Sequence, residues 1–318
     1  MNSLTPPSAP AAPASARAGW AAALVATAAF SVAAPIATFI IGWGTDPTTM
    51  LVLRLWLATG LLFATLAIFA PARLRLDRRG LLAIMLAGPA MGLAVLLFFW
   101  SLTRLHTSIA SMLVALEPLM ALFLLRLRGE RFTYRNTVRL ALGLAGVYLL
   151  VGLQGSADWL GLLMVLGTVL GSAFQTVALQ WYFSGYDGRT ITFYIVLMMA
   201  LTVSVVWLIQ GAVWQPPIWQ SWVGILALAL VPTYLARLGL FAAVQRLGGG
   251  QVALLAPLET FLTVIWAVVF LHDRLTLIQL AGGALILLSA ILAVQRLRRA
   301  RPRPTSAAPA DSTGLPEL

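Results

Sequence analysis

Four ionisable side chains lie inside long apolar stretches of the sequence: Arg54, Glu117, Arg237 and Glu259. A charged group at the centre of a bilayer costs roughly 2.5–3.5 kcal/mol on insertion scales, so a function or a partner must retain each one. The carboxylates could accept the amine of a small molecule or exchange a proton; alternatively, each merely ties two helices together. The arginines could bind a carboxylate, or extend to the lipid headgroups from near their helix ends.

Two aromatic residues, Tyr234 and Trp266, could stack on a small molecule, although most membrane aromatics belong to interfacial belts or helix packing. Four prolines inside apolar stretches are hinge candidates, because proline leaves a backbone carbonyl without its helical partner. They are Pro89, Pro118, Pro232 and Pro257. Prolines are also frequent in ordinary membrane helices, so gating and packing both stay open for them.

No catalytic or metal-binding constellation accompanies these residues. The chain has no cysteine, which excludes disulfides and thiolate sites, and no lysine, which excludes a P-loop. His106 and His272 stand alone at the ends of apolar stretches, and no aspartate lies in the middle of one. We therefore expect no enzyme, no cofactor and no metal site.

The composition requires a lipid environment for most of the chain. Of 318 residues 60% are apolar and only 10% charged, with a mean hydropathy of +0.92, which leaves too few polar groups to cover a water-soluble globule. The net charge of +11 could suggest nucleic acid in a soluble protein. Here the arginines lie mainly in the tails and in alternate loops, so we expect a bilayer and not nucleic acid as the partner.

Ten apolar segments have the length, about 18–24 residues, that a helix needs to cross the hydrocarbon core. Backbone groups in lipid must be satisfied within each segment, which predicts an all-α integral membrane protein. Numbered as spans 1 to 10, the segments cover residues 20–41, 48–70, 80–101, 106–126, 136–153, 159–182, 190–210, 221–243, 250–271 and 277–296.

The distribution of arginine predicts the orientation. With the N-terminus inside, seventeen arginines face the cytoplasm and two, Arg104 and Arg274, face outwards, so we expect both termini in the cytoplasm. Residues 1–18 carry no apolar face and are predicted to be a disordered tail, and residues 297–318 are predicted to be a basic segment followed by a second disordered tail. A signal peptide is the alternative for the first segment; its length disfavours that interpretation.

A repeat of 142 residues divides the membrane region into halves. The offset places residues 104–105, Arg-Leu, on 246–247, Arg-Leu, and residues 116–117, Leu-Glu, on 258–259, Leu-Glu. Chance alignment of apolar sequence is the alternative, but the paired charged residues argue against it. Five spans is an odd number, so the second half must enter the membrane from the opposite side, as in inverted-repeat carriers.

These features resemble the EamA branch of the drug/metabolite transporter superfamily, with repeats at residues 19–153 and 154–296. The resemblance depends on Leu-Glu-Pro at 116–118, Gly-Glu-Arg at 129–131 with Thr133, Gly-Val at 146–147, Arg54 with Ala58, and Asp-Arg-Leu-Thr-Leu at 273–277 with Gln279, Gly282 and Gly283. The second half departs from the family pattern at Thr260, Asp273 and Ser289-Ala290, where proline, glutamate and Gly-Val are expected.

The resemblance implies a secondary transporter of the bacterial inner membrane, an exporter or exchanger of small amphipathic metabolites such as amino acids. It would work by rocking of the two halves about a central site, driven by protons or a counter-substrate. A drug-efflux or nucleotide-sugar-type carrier is the alternative within transport. A non-transporting assembly or lipid-interacting protein is the alternative of another class, and the oligomeric state stays open.

Overall fold

The computed structural model of the chain describes residues 13–69, 77–126, 134–152, 158–182, 186–211 and 214–299. Over these ranges the chain forms ten helical spans and no strand. Spans 2, 3, 6, 7 and 10 are unbroken helices, with the bounds Pro47–Phe69, Arg78–Ser101, Trp159–Tyr182, Gly188–Ile209 and Leu277–Arg299.

The other five spans are interrupted. Span 1 consists of Pro13–Ser31 and Ala33–Gly42, span 4 of Thr107–Val114 and Glu117–Arg126, and span 5 of Tyr134–Val147 with the π-helix Tyr148–Gly152. Span 8 consists of Trp219–Leu228, the π-helix Ala229–Leu235 and Ala236–Leu247. Span 9 consists of Gly249–Val252, the 3₁₀ turn Ala253–Leu255 and Ala256–Phe270.

The hydropathy of these helices confirms the all-α membrane fold. Within the described residues, seven helical stretches are long and apolar enough to cross a bilayer, and spans 5, 9 and 10 each contain a shorter apolar helix. Large apolar side chains also face outwards: Phe69 and Ile209 are each 79% exposed and Leu277 is 84% exposed. Such a surface is suited to lipid and not to water.

The first and last helices extend into the predicted tails. Span 1 begins at Pro13, so residues 13–18 are helical where disorder was predicted, and span 10 continues to Arg299. Proline is favoured in the first helical turn, and the alanines and arginine that follow Pro13 are good helix formers. The remaining tail residues, 1–12 and 300–318, lie outside the described part of the chain.

Aspartates and glycines set several helix ends. Asp77, Asp158 and Asp187 precede spans 3, 6 and 7, and the carboxylate of each accepts a first-turn backbone N–H at 3.0, 2.9 and 2.8 Å. This satisfies N–H groups that have no partner inside the helix. Gly248, with a φ of 81°, ends span 8 and allows the abrupt entry into span 9.

The contacts between spans follow the symmetry of the repeat. Span 3 packs on spans 6 and 7, and its counterpart, span 8, packs on spans 1 and 2. Span 4 packs on span 6, as span 9 packs on span 1. Spans 2 and 7, 4 and 9, and 5 and 10 each contact their own counterpart. A two-fold relation between inverted halves requires this pattern, and its axis passes between spans 4 and 9.

Two glycine contacts show the same symmetry at atomic scale. A Cβ on Gly19, at the start of span 1, would lie 2.8 Å from Cγ of Leu247 at the end of span 8. A Cβ on Gly161, at the start of span 6, would lie 2.8 Å from Cγ of Leu105 after span 3. Both members of the first pair lie 142 positions from those of the second, so the predicted offset is confirmed. The halves therefore interleave.

Candidate functional site

The two predicted glutamates lie directly after helix breaks at the contact of spans 4 and 9. Glu117 is the first residue of the second helix of span 4, and Glu259 is the fourth residue of the main helix of span 9. Pro118 and Pro257 each occupy the second position of these helices, where a missing N–H removes no helical bond. Because a proline ring clashes with the carbonyl four residues earlier, the prolines place the breaks before the carboxylates.

The central cavity has two lobes, which meet at these glutamates. One lobe, of about 270 Å³, includes Pro118, Pro257 and Ala290 in its lining, and we call it the proline lobe. The other, of about 240 Å³, is lined partly by Ser111, Thr168, Ser172 and Thr263, and we call it the hydroxyl lobe. The residues shared by both linings are Val114, Glu117, Glu259 and Thr260. The carboxylates thus lie where one lobe opens into the other.

Glu117 is held by a hydroxyl group of span 6. Thr176 Oγ1 donates a hydrogen bond to Glu117 Oε1 at 2.7 Å, and the Ser172 hydroxyl, one turn earlier, donates to the carbonyl of Thr168 at 2.8 Å. A donor that is already in place stabilises the ionised form of a carboxylate without water. The ionised form of Glu117 therefore has a hydrogen-bond partner within an otherwise apolar cavity.

Glu259 is in a different environment from its repeat counterpart. In the described part of the chain, no hydrogen-bond donor contacts its carboxylate, and it interacts electrostatically with Glu117 and with Arg237 of span 8. Arg237 Nε is buried and has no hydrogen-bond partner among the described residues. The structure therefore places three of the four predicted ionisable residues in one electrostatic cluster.

Arg54 completes this cluster from span 2. Its side chain is only 9% exposed, its Nε donates to Thr233 Oγ1 at 2.8 Å, and its guanidinium lies 5.3 Å from the centroid of the Phe99 ring. Arg54 also interacts electrostatically with Arg237. Extension to the headgroups, the ordinary explanation for an arginine near a span end, therefore does not describe this residue.

The two predicted aromatic residues take part in helix packing. The hydroxyl of Tyr234 shares a hydrogen bond of 2.7 Å with Thr65 of span 2, and Trp266 Nε1 donates to Ser31 Oγ at 3.0 Å. Ser31 is the last residue before the break in span 1. Neither aromatic ring is part of the lining of the two lobes.

The other two hinge candidates differ from Pro118 and Pro257. Pro89 lies inside the unbroken helix of span 3, whereas Pro232 lies inside the π-helix of span 8. In that π-helix, Thr233 Oγ1 donates to the carbonyl of Leu228, five residues back, at 2.8 Å. Thr233 therefore links the irregular backbone of span 8 to Arg54.

The hydroxyl residues of the cavity were missed at the sequence level. Thr168, Ser172 and Thr176 recur every four residues along span 6 and so lie on one helix face. That spacing is the signal that could have found them. Ser111 of span 4 is 6% exposed, and its hydroxyl has no hydrogen-bond partner among the described residues.

The departures from the family pattern have structural roles. Thr260 lies in the lining of both lobes. Asp273 is buried in the loop before span 10 and accepts hydrogen bonds from the backbone N–H and hydroxyl of Ser108 at 2.9 and 2.7 Å, so it caps span 4. Ser289 donates to the carbonyl of Arg139 in span 5 at 2.7 Å.

Comparisons with known proteins agree with this architecture. The model of the EamA-like transporter family matches the chain twice, over residues 17–152 and 159–295. The chain is 28% identical over 200 residues to the uncharacterized transporter YvbV of Bacillus subtilis (strain 168), an alignment that covers 60% of this chain and 64% of that protein. It therefore spans less than two thirds of that relative's length.

A solved structure supports the fold. A protein known from its crystal structure is 20% identical to this chain and superposes on it with a TM-score of 0.60, covering 91% of this chain and 99% of the other. At this level of identity the similarity concerns the fold alone.

Proposed function

Because the chain belongs to the EamA-like transporter family, we propose that this membrane transporter is a secondary active exporter or exchanger of small amphipathic metabolites, such as amino acids. The observation that carries the proposal is the position of Glu117 and Glu259. They lie in spans 4 and 9, which contact each other across the inverted repeat, and they line both lobes of the central cavity. In inverted-repeat carriers the substrate binds at the interface of the repeats, near the middle of the bilayer.

The lining of the cavity favours a small amphipathic metabolite. Its two lobes, of about 270 and 240 Å³, together fall within the range of about 300–1,000 Å³ that is usual for small-molecule sites. The walls combine apolar side chains such as Phe98 and Met91 with a few hydroxyls and the two carboxylates. An apolar wall with a few polar groups suits an amphipathic solute better than a nucleotide sugar.

The interleaving of the halves changes the expected motion. Span 1 packs on span 8 and span 6 packs on span 3, which argues against rocking of the two sequence repeats as separate five-helix bodies. The units that move would be spans 3, 4 and 6 against spans 1, 8 and 9, with the helix breaks before Glu117 and Glu259 between them. Pro118 and Pro257 would act as hinges because the backbone is already interrupted there.

The orientation belongs to the same proposal. The excess of arginine in the loops between spans 2 and 3 and between spans 4 and 5 supports both termini in the cytoplasm and a location in a bacterial inner membrane. Reporter fusions at the two termini test this orientation. Activity at either terminus of a reporter that works only outside the cytoplasm would overturn the cytoplasmic placement.

Transport by the purified full chain in proteoliposomes tests the central proposal. The vesicles are preloaded with an unlabelled pool of amino acids, and entry of the same tritiated pool is measured with and without an imposed pH gradient. Accumulation above the level of protein-free vesicles supports an amino acid exchanger, and stimulation by the gradient supports proton coupling. No accumulation with folded protein, shown by size-exclusion chromatography before reconstitution, would overturn it.

A matched pair of carboxylate-to-amide variants tests the site. Glu117→Gln removes one negative charge from the cavity, and we expect counterflow to fall about tenfold or more, since unpairing a buried charge contact costs several kcal/mol. Asp158→Asn makes the same chemical change at an exposed helix cap and should leave counterflow near the wild-type rate. Equal rates in both variants would return Glu117 to a packing role.

A further inference from the structure

The two glutamates are equivalent by the repeat but have different neighbours, and this difference assigns them different tasks. The inference rests on the proposed transport function. Among the described residues, Glu117 has a hydrogen-bond donor and Glu259 has none. Glu259 interacts electrostatically with a cation, Arg237, and within the described residues Glu117 has no such cationic partner. A symmetric pair with one shared task would have matching surroundings.

Glu117 has a partner for its ionised form. The Thr176 hydroxyl, 2.7 Å from its Oε1, offsets part of the desolvation of the carboxylate in the apolar cavity. A fixed anion on the wall of a cavity is suited to bind the ammonium group of a solute.

Glu259 is arranged to change its protonation state. The charged groups that face it are Glu117 from span 4, which repels its anion, and Arg237 from span 8, which attracts it. Spans 1 and 10 also pack on span 9, and within the described part they contribute only uncharged residues to the lobes, such as Phe30 and Ala290. Two neighbouring carboxylates in a medium of low dielectric do not both remain ionised without compensation.

Arg237 is available to receive the Glu259 carboxylate. Its Nε is buried and makes no hydrogen bond to any described residue, so an acceptor is needed there. Arg54 lies near it on the side of span 2, held in place by Thr233 and the Phe99 ring.

We propose that Glu259 carries the coupled proton, that Arg237 is the positioning residue that pairs with Glu259 once the proton has left, and that Glu117 binds the cationic group of the solute. In this step the O–H bond of the Glu259 carboxylic acid breaks and the proton passes to water on the side to which the cavity is open. The solute's ammonium then occupies the space between the two carboxylates. Proton and solute therefore exclude each other, which makes the carrier a proton antiporter for solutes with a cationic group.

The test measures two quantities for each variant in proteoliposomes, with the tritiated amino acid pool as the probe. One is the rate of counterflow relative to wild type, and the other is the factor by which a pH gradient stimulates it. Glu259→Gln fixes the side chain in an uncharged form like the protonated acid, which excludes the solute, so we expect counterflow to fall and the counterflow that remains to show no stimulation by a pH gradient. Glu117→Gln should also lower counterflow, but the counterflow that remains should keep its stimulation by the gradient. Stimulation of Glu259→Gln equal to that of wild type would overturn the assignment of the proton to Glu259.

A second variant keeps the test independent of that single substitution. Arg237→Gln removes the positioning charge but leaves both carboxylates, and we expect the pH at which gradient-free counterflow is half-maximal to move to a more alkaline value. A merely structural arginine would change the rate without moving this midpoint, and that result would overturn the role of Arg237. Failure of wild type to show any counterflow would instead overturn the proposed function on which the inference rests.

Discussion

The crossing of spans 5 and 10 gives a prediction that the structure quantifies. A Cβ on Gly282 would lie 2.7 Å from the carbonyl oxygen of Gly146 and 2.8 Å from the backbone N of Leu150. Both are backbone atoms of span 5, so neither can rotate away as a flexible side chain would. Gly282→Ala therefore forces the two spans apart at their closest approach.

The expected cost follows from the overlap. Ordinary contact begins near 3.4 Å, so the added carbon overlaps its neighbours by about 0.7 Å, and overpacking of this kind costs roughly 1–3 kcal/mol. Alanine also gains up to about 1 kcal/mol of helix propensity over glycine. Gly60→Ala is the matched control, because a Cβ there would meet nothing within 4 Å.

Thermal unfolding in detergent, followed by fluorescence-detected size-exclusion chromatography, measures the difference. Since 1 kcal/mol corresponds to about 2 °C for a long chain, we expect Gly282→Ala to unfold roughly 2–6 °C below Gly60→Ala. Gly146→Ala should behave like Gly282→Ala, since its Cβ would lie 2.7 Å from the Gly282 carbonyl oxygen. Equal midpoints for Gly282→Ala and Gly60→Ala would refute the close crossing of spans 5 and 10.

Two further predictions concern carboxylates at helix ends. Asp273→Ala removes both hydrogen bonds from Ser108 and should lower stability by roughly 1–2 kcal/mol, which is measured as a shift of the thermal midpoint. Asp273→Asn keeps an acceptor and should lose less stability. An unchanged midpoint in Asp273→Ala would refute the cap. The hydroxyl of Tyr186, 2.5 Å from Asp77 Oδ1, is the main group that holds the pKa of Asp77 below its usual value. The stability that this interaction adds is present at neutral pH and is lost as pH falls below about 4 through the lowered pKa. The thermal midpoint of Asp77→Asn should therefore fall less steeply than that of wild type between pH 6 and pH 3. Equal slopes of the midpoint against pH in the two proteins would contradict this role of Asp77.

Much of the architecture could be predicted from the sequence because lipid imposes simple rules. A span must be long, apolar and internally hydrogen-bonded, so hydropathy alone located all ten. The inverted repeat was visible because charged residues are rare inside membranes, so the shared Leu-Glu at 116–117 and 258–259 fixed the alignment of the two halves.

The contacts of the site could not be predicted in the same way. Which residues of span 6 face Glu117 depends on the rotation of one helix against another, and hydropathy does not encode that rotation. The burial of Arg54 depends on Thr233, which lies 179 residues away and is presented by a π-helix. Tyr234 and Trp266 are aromatic residues of the kind that stack on a substrate, but their polar atoms make hydrogen bonds to spans 2 and 1.

The most direct test of the central claim uses the absence of cysteine from the chain. Thr260→Cys introduces a single thiol into a residue that lines both lobes, and Leu288→Cys introduces one on span 10 at a side chain that is 46% exposed and is not part of the lining of either lobe. Each variant is treated with a negatively charged methanethiosulfonate before amino acid counterflow is measured. We expect modification of Thr260→Cys to abolish counterflow and excess amino acid to slow the modification, with Leu288→Cys unaffected. Full counterflow by a modified Thr260→Cys protein would contradict a substrate path between Glu117 and Glu259.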